Sequence, residues 1–367
     1  MSRIEQLIAE LCPDGVEWKT LGEVCKVLRG KRLTKKELSD NSIYPVFHGG
    51  IIPLGFFHDF NRKANTTMVI NTGSVGEVGY SFVDFWSSDG TFTIQSPDNV
   101  DDRYIYFCLK IKEQYLKSQR REGGVPTISR EVVENVIIPI PPLPIQQEIV
   151  RILDTFTDLD AELQAELEAR KKQYEYYRNE LLKFEGKEVE WKVLGEVAKI
   201  LRGTAITEKD TIVGEIPVVA NAPIPVYKHS KSNRNGKTIV IARSGAYAGL
   251  ISYWDIPIFL TDAFSIHPDE TIFNTKFVYY FLKRDQREIH LMKKGSGVPH
   301  VRAKEFELYS LPIPPIEEQE RIVNILDKFD ILVNDLSEGL PAEIEARRKQ
   351  YEYYRGKLLT FKNISNG

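Results

Sequence analysis

The sequence predicts an α+β protein. Two mixed, mainly-β domains are separated by two long helices that form an antiparallel coiled-coil spacer, and the halves are related by a pseudo-twofold internal duplication. Three observations predict it. Residues 16–30, Val-Glu-Trp-Lys-Thr-Leu-Gly-Glu-Val-Cys-Lys-Val-Leu-Arg-Gly, return almost unchanged at 189–203, and residues 168–184 return at 345–361. Between these copies lie stretches of little identity, in which short β-branched runs precede Gly-rich turns. Each half then closes on a Pro-rich run followed by an apolar stripe at helical spacing. The offset from Val16 to Val189 is 173 residues, too long for a solenoid repeat, so the duplication is on the scale of a domain.

The elements follow in order. Residues 1–143 form the first mainly-β domain, with an N-terminal helix. Thr67-Met-Val-Ile70 reads as a strand, and Gly73-Ser-Val-Gly76-Glu-Val-Gly79 as the tight turn after it. Aromatic and aliphatic residues at helical spacing predict a helix near 102–119. Gly124-Val-Pro126 closes the domain. Pro139-Ile-Pro-Pro142 is poor in backbone donors, so it is extended and is no central strand. Gln147-Glu-Ile-Val-Arg-Ile-Leu-Asp154 then opens the first, central spacer helix, residues 144–184. At ~1.5 Å per residue, about 40 residues span roughly 60 Å. A stripe that long wants a second long helix as its partner.

The second mainly-β domain, residues 185–316, repeats the plan. Lys237-Thr-Ile-Val-Ile241 precedes Ser244-Gly-Ala-Tyr-Ala-Gly249, a helix is predicted near 275–294, and Gly297-Val-Pro299 and Pro312-Ile-Pro-Pro315 close the domain. Glu320-Arg-Ile-Val-Asn-Ile-Leu-Asp327 lies in the second spacer helix, residues 317–362, and 363–367 form a tail. Gly339-Leu-Pro341 predicts a kink or a restart in that helix. Asp160-Ala-Glu-Leu163 and Gln164-Ala-Glu-Leu167 are tandem tetrads, which keep a helix nearly in phase when one is added or lost.

Composition narrows the function. The 367 residues carry a net charge of −3. Residues 26–131 and 199–304 nevertheless each hold more Lys and Arg than Asp and Glu, so the repeated frame is acidic. Basic inserts suit a phosphate backbone, and an acidic frame suits another protein. Cys12, Cys25 and Cys108 are too few and too widely spaced for a disulfide framework or a Cys-based metal site, which predicts a reducing cytoplasm. There is no membrane-length apolar run and no signal-peptide pattern.

No Walker loop, Asp-Pro-Pro-Tyr or Asn-Pro-Pro-Phe methyltransferase motif, His-Glu-x-x-His helix or Gly-x-Ser-x-Gly elbow occurs. Histidines 48, 58, 229, 267, 290 and 300 are scattered and read as surface or packing residues. Asp84, Asp89 and Asp262 lack metal-site spacing. The expectation is a chain that is not an enzyme, with no catalytic, cofactor or metal site of its own.

The chain resembles the specificity subunit of type I restriction-modification enzymes. The Val-Glu-Trp-Lys-x-Leu-Gly-Glu-Val segments, Gly-Val-Pro, Pro-Ile-Pro-Pro…Gln…Ile-Val…Ile-Leu-Asp and Arg-Lys-Gln-Tyr-Glu-Tyr-Tyr-Arg…Leu-Leu carry the likeness, in order and in both halves. The resemblance implies that each variable region is a target-recognition domain reading one half of a split double-stranded DNA site. It implies that the helices set the gap and dock two methyltransferase subunits, which methylate adenine with the S-adenosylmethionine they hold. It also implies restriction subunits that use ATP and Mg for translocation and cleavage.

Base reading needs Arg, Lys, Asn, Gln, Ser or Thr at groove edges, while other cations position phosphates. In the first domain the candidates are Arg29, Lys31, Arg32, Arg62, Lys63, Asn71, Thr72, Ser74, Arg120 and Arg121. In the second they are Arg202, Arg234, Lys237, Arg243, Ser244, Tyr247, Lys293, Lys294 and Arg302. Arg29 and Arg202 are repeated, which suits a shared role in phosphate contact or folding. Discrimination is expected where the domains differ, as at Asn71-Thr72 against Ala242-Arg243. Trp18 and Trp191 read as core residues. The repeated Tyr174, Tyr176 and Tyr177, with Tyr351, Tyr353 and Tyr354, cannot all face one stripe, so some pack and the rest are partner contacts. Two other readings stay open: a stand-alone two-module DNA-binding regulator or architectural protein, and an assembly scaffold whose basic inserts bind acidic protein. The first predicts tight DNA binding without a methyltransferase, and the second predicts no salt-sensitive DNA affinity.

Overall fold

The β-branched run around Met68 forms a strand, Thr66–Ile70, as its composition predicts. The computed structural model describes residues 2–39, 41–121, 124–291 and 300–364. Contacts divide the chain into two units, Met1–Leu163 with Ile344–Gly367, and Gln164–Glu343.

The first unit holds β1 (Glu17–Thr20), β2 (Lys26–Arg29), β3 (Tyr44–Phe47), β4 (Gly55–Phe57), β5 (Thr66–Ile70), β6 (Val78–Ser81), β7 (Trp86–Ser87), β8 (Thr91–Gln95) and β9 (Ile137–Ile140). An antiparallel sheet runs β2-β8-β5-β6, and a mixed one runs β4-β3-β7. β1 and β9 form a separate antiparallel pair in which Pro139 lies opposite Trp18. The Pro run is therefore at an edge, where a missing N–H breaks no inner ladder.

The helix predicted over 102–119 is two helices, Asp102–Ile111 and Glu113–Ser118, with Lys112 between them. The first buries Tyr104, Ile105, Phe107, Cys108 and Leu109. Ile145, Ile149 and Leu153, spaced four apart at the start of the central helix, join the same core. Gln146 explains the glutamine after each Pro run. Its fully buried amide accepts from the Asp101 N–H at 2.9 Å and donates to the Pro141 carbonyl at 2.8 Å. The start of the central helix is thereby bonded to the N-cap of the helix at 102–111.

The second unit holds β10 (Glu190–Val193), β11 (Ala198–Arg202), β12 (Ile216–Val219), β13 (Tyr227–His229), β14 (Thr238–Ala242), β15 (Ile251–Trp254), β16 (Phe259–Leu260), β17 (Ala263–Pro268) and β18 (Ser310–Ile313). Strand order repeats as β11-β17-β14-β15, β13-β12-β16 and β10-β18. Register repeats too. Arg29 and Val69 flank Phe92, while Arg202 and Ile241 flank Phe264. Two inserts of little sequence identity thus share one topology. The helix expected over 275–294 is Thr275–Arg284 followed by Gln286–Leu291, and 292–294 lie outside the described residues. Gln319 repeats the role of Gln146, accepting from Asn274 N–H at 2.8 Å and donating to the Pro314 carbonyl at 2.9 Å.

The central helix runs unbroken over Leu143–Leu181, and the division between the units falls between its two tetrads. In the first unit its early part packs antiparallel on the C-terminal helix, Leu340–Leu358. Phe156 lies 6.3 Å from the Tyr351 ring and stacks on Tyr354 at 5.7 Å, and Asp160 bridges Arg348 at 2.8 Å. In the second unit Phe329 lies between Tyr174 and Tyr177, at 6.2 and 5.6 Å. Two tyrosines of each triplet therefore pack, and the middle one is outside, Tyr176 at 63% and Tyr353 at 64% exposure. Trp18 packs partly buried on the first core, whereas Trp191, expected in the core, is 39% exposed with its ring 6.3 Å from that of Phe281. The predicted restart at Gly339-Leu-Pro341 is present, with one helix ending at Asn334 and the next starting at Leu340. A Cβ on Gly339 would stand 2.2 Å from the Ile331 carbonyl oxygen, so the restart requires glycine.

Candidate nucleic-acid interface

In the first unit, polar groups collect where β2 and β5 end and β8 begins. Arg29, exposed at the end of β2, donates through Nε to the Asp89 carbonyl at 3.4 Å. Asn71 follows β5 and is 5% exposed. Its Nδ2 donates to the same carbonyl at 3.2 Å, and its Oδ1 is buried without a hydrogen-bond partner among the described residues. His48 Nδ1 lies 3.3 Å from the Asp89 carboxylate. Thr72 bridges to Thr127, which also bridges to Arg121, so these two residues border the same strand end. Gly73 has φ 93°, and a Cβ there would meet the Gly49 carbonyl at 2.5 Å, so two glycines let the loops touch. Lys31 is held by its backbone, accepting from Trp86 Nε1 at 2.8 Å, while its side chain and that of Arg32 face solvent. Ser74 and Arg120 line a neighbouring cleft with Lys117.

The second unit fills the same strand end differently. Asp262 is at its centre with φ 29°, a left-handed conformation that costs an L-residue energy and recurs at ligand clamps. Its carboxylate accepts from Ser244 Oγ at 2.5 Å and Asn221 Nδ2 at 3.2 Å, and Arg243 Nε lies 3.4 Å away. Val301 donates to the Arg243 carbonyl at 2.9 Å, and His300 bridges Ser244. Arg202, Arg243, His300, Arg302 and Lys304 line one open cleft, and Arg202, Thr207, Asp210 and Asp262 border another. Tyr247 is 48% exposed on the loop that leaves Ser244.

Register corrects the expected pairing. Because Val69 and Ile241 hold equivalent places, Asn71-Thr72 corresponds to Arg243-Ser244, one residue beyond Ala242-Arg243. A one-residue shift exchanges the faces of a strand, so only strand pairing reveals it.

Other candidates lie elsewhere. Arg62 is turned inward, with Nε on Thr93 Oγ1 at 2.6 Å, Nη1 on the Asn61 carbonyl at 2.7 Å and Nη2 on the Arg29 carbonyl at 3.0 Å. Arg234 makes the same three bonds to Ser265, Asn233 and Arg202, at 2.7, 2.7 and 2.8 Å. Burial lowers the pKa of both guanidiniums from the ordinary value. These two arginines fix the strands that carry Arg29 and Arg202. Lys63 pairs with Asp84 at 3.4 Å and Lys237 with Glu270 at 3.8 Å, each before the opposite end of its strand. Lys293 and Lys294 lie outside the described residues. Sequence reasoning missed Asn221 and Lys304, set Asp89 and Asp262 aside for want of metal-site spacing, and read His48 and His300 as surface or packing residues. Among the described residues no cluster of His, Cys, Asp and Glu is placed to hold a metal, and no helix is long and apolar enough to cross a membrane.

One scaffold used twice, with different hydrogen-bonding groups at the same strand ends, defines a two-module recognition protein. The chain belongs to the type I restriction modification DNA specificity domain family, whose model matches residues 13–169 and 186–346. It is 33% identical to the type I restriction enzyme EcoR124I/EcoR124II specificity subunit of Escherichia coli, over 98% of this chain and 97% of that one. It is 29% identical to a putative type I restriction enzyme specificity subunit of Haemophilus influenzae, over 94% and 96%. In fold it is similar to the S subunit of a type I restriction-modification system from M. genitalium, with a TM-score of 0.71 at 20% identity over 94% and 96%. A chain from a structure of type I R-M complex assembly and conformational transition gives 0.58 at 18% identity, over 95% and 98%.

Proposed function

We propose that this chain is the sequence-specific DNA-recognition subunit of a type I restriction-modification complex. The observation that carries the reading is the exchange of Asn71-Thr72 for Arg243-Ser244 at matched register on a shared scaffold. Different donors and acceptors at one place read different base edges. Asn71, Thr72, Arg243 and Ser244, with Asn221 and Asp262, discriminate bases. The exposed Arg29, Lys31, Arg32, Arg121, Arg202 and Arg302 position phosphates, an electrostatic task without sequence information. Each unit reads one half of a bipartite site, and the helices set the gap between halves. Family membership and the relatives' names support this assignment.

The chain works in the cytoplasm and performs no catalysis. Two methyltransferase subunits dock on it and hold S-adenosylmethionine, and restriction subunits bring ATP and Mg. Tyr176 and Tyr353, exposed on the repeated helix ends, are contacts for the methyltransferase. The test is methylation-site mapping in cells that carry the chain with its methyltransferase, with and without deletion of Gln164-Ala-Glu-Leu167. The expected result is a bipartite adenine-methylated sequence whose gap shortens on deletion while both halves stay unchanged. Absence of any sequence-specific methylation from a soluble complex overturns the reading.

A further inference from the structure

A matched pair of apolar hairpin tips stands beside the two polar strand ends. The turn from β3 to β4 is closed by Leu54 N–H donating to the Val46 carbonyl at 2.8 Å, and the turn from β12 to β13 by Val226 N–H donating to Val218 at 3.0 Å. The loops are therefore equal in length, and Ile52-Pro53-Leu54 corresponds to Ile224-Pro225-Val226 within inserts that otherwise share little sequence. Ile52 is 81% exposed and Ile224 is 73% exposed. An isolated surface aliphatic needs no explanation, but the same one at the same register of two diverged hairpins does. Proline before the last residue of each tip fixes φ and lowers the cost of ordering the loop in a complex.

We propose that these tips are apolar readers that enter the DNA groove, each within the half-site its own unit recognises. The proposal rests on the DNA-recognition reading given above. Both loops begin inside the polar clusters, and this continuity identifies DNA as the occupant. The Gly49 carbonyl accepts from Ser74 N–H at 2.9 Å, and Asn221 Nδ2 donates to Ser244 Oγ at 3.2 Å. A tip three residues further on lies alongside groups aimed at base edges. The apolar feature of the major groove is the thymine methyl group, and aliphatic side chains also wedge between base steps from the minor groove. Neither contact neutralises a phosphate, so it adds affinity and selectivity without adding to the salt dependence.

The experiment uses the assembled methyltransferase complex and synthetic duplexes carrying the bipartite sequence that methylation mapping defines. Kd is measured for Ile52→Ser and Ile224→Ser across a range of salt, and for duplexes altered in either half. Ile43→Ser and Val213→Ser are the controls; both residues are exposed, at 74% and 98%, and precede the opposite ends of β3 and β12. Each tip variant is expected to weaken binding about tenfold. The slope of log Kd against log salt stays unchanged, and tolerance widens in one half-site only, a different half for each variant. Unchanged Kd and selectivity in both tip variants overturn the proposal. So does an equal loss of methyltransferase assembly without DNA, which would make the tips a protein-docking surface. A wild-type complex with no bipartite target overturns the DNA reading itself, a result distinguishable from failure of the tips alone.

Discussion

The two units agree at some polar positions and part at others, and the division separates folding from reading. Arg62 and Arg234 make three equivalent bonds each. Asn61 holds both backbone groups of Ser87, as Asn233 holds those of Leu260. Gln146 and Gln319 tie the long helices to their domains in the same way. At the strand ends the correspondence stops. Asn71 faces the Asp89 carbonyl, whereas Arg243 faces the Asp262 carboxylate. Buried polar groups that are fully satisfied specify the scaffold, and the free choice of residue begins where the strands run out into loops.

Three experiments press on that comparison. The largest effect is expected in the shared scaffold. Gln146→Leu and Gln319→Leu each leave a buried N–H and carbonyls unpaired, a loss of about 3 kcal/mol in urea unfolding. The two losses should match; a large difference would break the equivalence of the units. Next comes Asp262→Asn, which removes the charge facing Arg243 while keeping the shape. Methylation rates on altered duplexes should show selectivity changed about tenfold in one half-site, with the other half untouched. A change in both halves would show that Asp262 serves the scaffold. The smallest effect belongs to Lys63→Ala and Lys237→Ala, whose exposed ion pairs contribute under about 0.5 kcal/mol. Their half-site preference should not move, and a tenfold loss of DNA affinity would relocate the interface to the other end of the sheets.

Much of the frame was legible because its signals are local. Pro139-Ile-Pro-Pro142 excludes an inner strand by its missing donors, and the strand there is indeed paired on one side only. Gly339-Leu-Pro341 breaks the helix where predicted. The breaks at Lys112 and Asp285 were not legible, since apolar spacing continues through both. The likeness of the two inserts was hidden as well. Topology is kept by buried aliphatics and aromatics that interchange freely, as Val69 does with Ile241, so identity fades while register stays. The inward turn of Arg62 and Arg234 was invisible for a different reason. Two of the three acceptors of each come from strands some 30 residues away, so the local sequence does not announce that the guanidinium is turned inward.

The first unit is assembled from two separated pieces, residues 1–163 and 344–367, whereas the second is one continuous piece. During synthesis this reverses the usual order. The first unit must wait for Tyr351, Tyr354 and Leu359, which fill the face of Phe156 and the core beneath it, until all of residues 164–343 have been made. The second unit has all its residues once Glu343 is made. The part translated first is thus the part completed last, because the C-terminal piece of its core is made only after every residue of the second unit.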